Sequence, residues 1–195
     1  MELVASNPGD YLGADDIVDH EDPSIRDLAQ QLRAAHSGDV DFARAAFEYV
    51  RDEVTHSWDA QDPRVTLSAS EALEQGTGLC YAKAHLLAAL LRAEGIPTGL
   101  CYQLLTDDET SFMLHGLVAI HLEGSWHRQD PRGNKAGVDA QFRLDTEQLA
   151  WSVRAELGER DYPDVFRHAS PRVVSALTQA TDLPELYLRG LPSEP

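Results

Sequence analysis

Between residues 23 and 95 apolar positions recur every three or four residues; beyond Pro97 they recur in extended runs. Pro23-Ser24 opens a first amphipathic helix carrying Ile25, Leu28, Ala29, Leu32 and Ala35, and Ser37-Gly38-Asp39 closes it. A second is expected from Asp39 to Val54, with Ala43, Ala46, Phe47, Val50 and Val54 on one face. Ser68 and Glu71 have the spacing of a capping box for a short helix ending at Gln75. Gly76-Thr77-Gly78 then breaks the pattern and feeds the longest helix of the chain, in which Ala82, Leu86, Ala89, Leu90 and Ala93 form a buried face. Gly95 ends this helix, and Pro97 cannot continue it.

Thr98–Leu105 and Met113–Leu122 read as strands, Glu123-Gly124 as a two-residue hairpin turn, and Trp126–Asp130 as the return strand. Helices followed by an antiparallel sheet predict an α+β fold, with N-terminal helices packed on the sheet. Residues 1 to about 22 read as an irregular lead-in with at most a short strand. Residues 141–195 are of mixed character: a helix is expected around Thr146–Leu157, and an irregular end around Pro184, Pro192 and Pro195. At 195 residues the chain suits one well-buried core, so 1–195 is expected to form a single domain.

Acidic residues outnumber basic ones 33 to 16, a formal charge of −17. Such a field disfavours nucleic acid and anionic membranes and would draw in cationic partners such as lysine-rich peptides or polyamines. No run approaches the roughly 18 apolar residues of a membrane span. The chain does not open on a basic stretch followed by an apolar run, so a cytoplasmic location is expected. The two cysteines are then expected to be free thiols, Cys101 as a small core residue of a strand.

Cys80 has a different setting, at the start of a helix entered through glycines. A helix N-terminus offers partial positive charge and unpaired N–H groups to a sulfur anion, and the same groups can hold an oxyanion. Hairpin register selects its partner among eight histidines. With Glu123-Gly124 as the turn, Leu122 faces Ser125 and Asp130 faces Leu117, which puts His115 diagonally beside Asp130 on one face. Cys80, His115 and Asp130 are therefore the candidate parts of a nucleophilic triad. Gly78 keeps the approach to the sulfur free of a side chain.

The run Gly78-Leu79-Cys80-Tyr81-Ala82-Lys83-Ala84, continued by Leu87 to Pro97, resembles the centre of the transglutaminase-like superfamily. His115 and Asp130-Pro131 match the family's other two positions in order and approximate spacing, and Val50-Arg51-Asp52 leading to His56-Ser57-Trp58 resembles its N-terminal approach. The resemblance spans about residues 20–135, leaving 141–195 as a C-terminal extension. It implies a papain-like fold, no cofactor and acyl chemistry on a peptide or amide through a cysteine thioester. Cys80 would be the nucleophile, His115 the acid and base, Asp130 the orienting carboxylate, and the Cys80 N–H an oxyanion donor. Trp58, Gly78 and Tyr81 would line the substrate site. Hydrolysis is favoured over transamidation by analogy with small single-domain members. One departure is Leu117, where the family often has an aromatic residue that walls the cleft.

Two other readings compete. His115, His121 and His127 on one hairpin, with Cys80, could hold zinc, although their spacing fits no standard pattern. Alternatively, the fold could serve as a catalytically silent module binding basic peptides.

Overall fold

The computed structural model describes residues 1–195, the side chain of Arg189 apart. At its centre lies the helix that starts at Cys80. The elements leading to it are α1 (Pro23–Ala35), α2 (Asp39–Glu53), the two-residue β1 (Thr55–His56), α3 (Ser57–Ala60), α4 (Ala69–Gln75) and β2 (Thr77–Gly78). α5 (Cys80–Ala93) is buried on every side from Cys80 to Arg92, more completely than its one predicted face implies. Its charged residues are satisfied from outside the helix. Arg92 donates to the carbonyls of Thr98, Gly13 and Arg167 at 2.8–2.9 Å, tying the lead-in and the C-terminal region to the core.

The predicted capping box is present, and a second cap that was not predicted joins it. Ser68 and Glu71 form the reciprocal capping box of α4, and Asp22 caps α1 by accepting from the Ser24 N–H. β1 pairs in parallel with β2, which sets His56 beside Gly78, two residues before Cys80.

β3 (Thr98–Thr106), β4 (Phe112–Leu122) and β5 (Ser125–Gln129) form an antiparallel sheet, completed by β6 (Arg160–Asp161) in the order β5-β4-β3-β6. Glu123 and Gly124 both have positive φ, 51° and 81°, as a type I′ turn requires. The register follows from that turn, Leu122 opposite Ser125 and Val118 opposite Gln129. Leu100, Val118 and Ile120 face the helices, while Cys101, Leu117 and Ala119 pack beneath Tyr11 and Val165.

The C-terminal third departs from expectation twice. No α-helix forms over Thr146–Leu157; only a short 3-10 turn at Ala155–Leu157 is present. The segment is irregular, spending the Ala150 N–H on the Asp130 carboxylate instead of on a helical bond. The proline-containing end is in turn more regular than predicted, with α6 (Pro171–Gln179) and α7 (Leu183–Arg189). Pro171 and Pro184 sit in the first turns, where a missing N–H does no harm, beneath the capping side chains of Ser170 and Asp182.

Candidate functional site

α5 begins against β4 because Gly116 has no side chain. A Cβ there would lie 2.8 Å from Tyr81 Cδ1 and 3.2 Å from Tyr81 Cα. This close approach lets the Gly116 N–H point at Cys80 Sγ, 3.4 Å away, where it favours an anionic sulfur. Gly116→Ala is expected to destabilise the fold by about 1–3 kcal/mol through overpacking. The measurement is a shift of the urea midpoint at constant m-value.

The next residue back, His115, donates from Nε2 to the Asp130 carboxylate at Oδ2, 2.8 Å away, leaving Nδ1 for the sulfur. Asp130 is fully buried and also accepts from the N–H groups of Arg132, at 3.1 Å on Oδ1, and Ala150, at 3.0 Å on Oδ2. Burial opposes both charges. On His115 it is outweighed by the charges of Asp130 and Cys80 and the hydrogen bonds to both, which push the imidazole up to about 10. On Asp130 it is outweighed by the His115 charge and these hydrogen bonds, which hold the carboxyl below its usual range.

This pairing has a pH signature. An imidazole raised from 6.5 to about 10 stabilises the fold fully below pH 6.5, and the contribution is lost as pH rises through about 10. Asp130→Asn leaves burial to dominate, so the fall of Tm over that range should disappear in the variant. Melting curves at successive pH values read this directly.

Cys80, His115, Tyr81 and Leu79 line a cavity of about 300 Å³. Its other walls include His56, Arg132, Trp151, Tyr187 and Leu191. Tyr81 is held by a hydrogen bond from its hydroxyl to the Leu114 carbonyl. Gly78 lies behind the cavity; the space its side chain would fill is occupied by Ala82 Cβ and Thr66 Oγ1, each at 3.0 Å. Trp58 also stands one layer back, stacked on Tyr187 with ring centroids 4.0 Å apart. Leu117 is sealed in the core. An aromatic wall comes instead from Trp151, which meets the His115 ring edge to face at 5.0 Å.

Sequence reasoning missed an ionic cluster behind these walls that runs from buried Arg132 and His56 out to the surface at Asp59 and Lys135. Arg132 grips Asp59 with both terminal nitrogens, at 2.5 and 2.9 Å, and its guanidinium lies over Trp151 at 4.9 Å. Lys135 adds a contact to Asp59 at 2.7 Å, and His56 Nδ1 stands 3.7 Å from the same carboxylate. Burial and the neighbouring Arg132 charge hold His56 well below 6.5, and the same two causes bring buried Lys83 down to about 7. Lys83 is satisfied by the carbonyls of Arg51 and Val54. The two-residue spacing of Asp130 and Arg132 and the three-residue spacing of His56 and Asp59 were the available signals.

The three hairpin histidines do not converge. His115 is engaged by Asp130, His121 packs on Trp126, and His127 meets the Leu122 carbonyl. Among the described residues no three His, Cys, Asp or Glu side chains are placed to hold a metal ion. No described helix is long and apolar enough to cross a membrane.

The sequence profile of the transglutaminase-like superfamily matches residues 26–131, more than half of the chain. The chain belongs to the transglutaminase-like superfamily. Several solved structures resemble it at low identity, among them two bacterial proteins. A candidate cysteine protease from Cytophaga hutchinsonii is 18% identical with a TM-score of 0.52, over 63% of this chain and 40% of that one. The periplasmic domain of TgpA from Pseudomonas aeruginosa, bound to ethylmercury, is 21% identical with a TM-score of 0.47, over 62% of this chain and 46% of that one. The chain thus spans less than half the length of either. No curated protein matches it. The transglutaminase-like match ends at residue 131, so Trp151, Tyr187 and Leu191 of the cavity lie outside it.

Proposed function

We propose that this transglutaminase-like chain is a cysteine-dependent hydrolase of peptides or amides. The observation that carries this reading is the hydrogen bond between His115 and Asp130 beside Cys80, with the Gly116 N–H directed at the sulfur. Cys80 as thiolate attacks the carbonyl carbon, and the oxyanion is met by the Cys80 N–H at the start of α5. The C–N bond breaks as imidazolium His115 protonates the departing amine, which leaves a thioester on Cys80. His115, now neutral, takes a proton from water as its oxygen attacks the thioester. Collapse of that second tetrahedral species releases the acid and returns the proton to the His115–Cys80 pair. Asp130 fixes the ring and balances its charge throughout.

The cavity also bears on the substrate. Glu159 in its walls is paired with Arg154 and Arg132 with Asp59 behind them, and the remaining walls are rich in apolar residues such as Leu105, Met113 and Leu114. An apolar acyl group therefore suits the space next to Cys80, while the overall negative charge favours a cationic peptide or amine on the leaving side. We place this activity in the cytoplasm, with no role for nucleic acid or membrane.

The test is to offer N-acylated peptide anilides with an apolar residue before the scissile bond, with and without hydroxylamine. Release of acid in water, hydroxamate with hydroxylamine and a Cys80-bound acyl mass are expected together. Tight binding of such peptides without turnover or adduct would reassign the chain as a silent binding module.

A further inference from the structure

β4 outruns its neighbour. Its pairing with β5 covers Val118 to Leu122, and from Gly116 back to Phe112 the edge on that side has no strand beside it. Leu114 and Gly116, two residues apart, turn their N–H groups to this vacated edge. The Gly116 N–H reaches Cys80 Sγ, and the Leu114 N–H donates to the Pro192 carbonyl at 2.7 Å. The Leu114 carbonyl is already taken by the Tyr81 hydroxyl, so this residue offers an occupant a donor and no acceptor. A proline, which has no N–H to satisfy, fits that condition. One residue earlier, half-buried Leu191 lies in the wall of the cavity that holds Cys80 and His115.

We propose that this edge of β4 is a docking site for an extended peptide with an apolar side chain, and that Leu191-Pro192 occupies it as an internal stand-in that the peptide displaces. The arrangement is strand addition to an open sheet edge, in which one backbone hydrogen bond sets the register and an apolar pocket reads the neighbouring side chain. The proposal deepens the hydrolase reading and rests on it for the fate of the peptide. The hold on the stand-in is light. Beyond the single backbone bond and Leu191, the segment is tied by Arg172 and Glu194, an ion pair whose side chains are each more than half exposed. Such pairs contribute little. A segment with so few buried contacts opens locally well below the free energy of global unfolding.

The experiment follows iodoacetamide alkylation of Cys80 by peptide mass mapping, with the fully buried Cys101 as an internal monitor of folding. Alkylation at fixed pH needs a thiolate and access to it but no substrate, so it reads the stand-in whether or not the chain turns over a substrate. Leu191→Asp is expected to raise the Cys80 rate about tenfold, with Cys101 still unmodified. Acetyl-Gly-Leu-Pro-Ser-amide added in trans should slow alkylation of the variant again, and the same peptide with Asp in place of Leu should not. Should Leu191→Asp expose Cys101 as well, Leu191→Ala takes its place, with the same direction and a smaller change. An unchanged Cys80 rate in a folded variant, or equal protection by both peptides, overturns the docking site. Loss of turnover in Cys80→Ala together with a Leu191-independent rate would sink this proposal alone and leave the hydrolase reading intact.

Discussion

Cys80→Ala is expected to lower amide hydrolysis by about 10⁴-fold or more, with His115→Ala nearly as severe and the double variant no worse than either. The reason is geometric. One histidine nitrogen is committed to Asp130 at 2.8 Å, and in the proposed mechanism the other serves the sulfur, so the two side chains act as one unit. Removing the sulfur leaves nothing for the base to activate, and removing the base leaves no proton for the departing amine. Asp130→Asn is expected to be milder, a loss of about 10²- to 10⁴-fold, because the nucleophile and base survive while the ring loses its fixed tautomer and its counter-charge. The measurement is kcat/KM on a peptide anilide, with circular dichroism to show that each variant folds. Cys80 is small and lies at the mouth of α5, so its truncation should leave the fold intact. Undiminished hydrolysis by Cys80→Ala would end the mechanism.

The largest stability effect is expected from a residue outside that chemistry. Asp59→Asn should cost about 3–5 kcal/mol, because it strips the counter-charge from a buried guanidinium. Arg132 is 2% exposed and spends both terminal nitrogens on Asp59, while its Nε has no partner among the described residues. His56 and Lys83 lie within the same field, and the Arg132 charge already disfavours a proton on either. In a chain of this size the loss corresponds to a fall in Tm of roughly 10 °C or more. Asp59→Asn combined with Arg132→Met should recover most of it, since a buried pair replaced by an apolar side chain is commonly tolerated where a half-broken pair is not. A double variant as unstable as the single one would show that Asp59 acts through Lys135 or the local backbone instead. The Asp59 carboxyl is itself held down to about 2, against burial, by its bonds to Arg132 and Lys135 and the charge of His56. Its contribution is therefore complete above about pH 4 and is lost as pH falls through about 2.

The parts of this architecture that could be read from the chain are those set by neighbours in sequence. The Ser68–Glu71 box, the type I′ pair Glu123-Gly124 and the hydrophobic period of α5 are local, and the hairpin register that brings Asp130 toward His115 follows from the turn alone. What could not be read depends on distant partners. Thr146–Leu157 has helix-forming residues, but the Ala150 N–H is needed by Asp130 and Trp151 by His115, and both demands keep the segment out of a helix. Gly78 reads as clearance for a ligand, whereas the atoms that need its missing side chain are those of Ala82 and Thr66. Pro184 reads as a breaker because its tolerance depends on where the Asp182 cap places the first turn.

Cys80, His115 and Asp130 all fall within residues 26–131, while Trp151, Arg154, Glu159, Tyr187 and Leu191 of the cavity wall come from the stretch beyond. In the proposed mechanism, reactivity thus comes from the first length of polypeptide, and the second adds its own share of selectivity to that of Leu105, Met113 and Leu114. The second length can then vary at its outer positions: grafting a different 140–195 region that keeps the Ala150 N–H on Asp130 and Trp151 against His115 would retarget the scaffold without rebuilding its reactive centre.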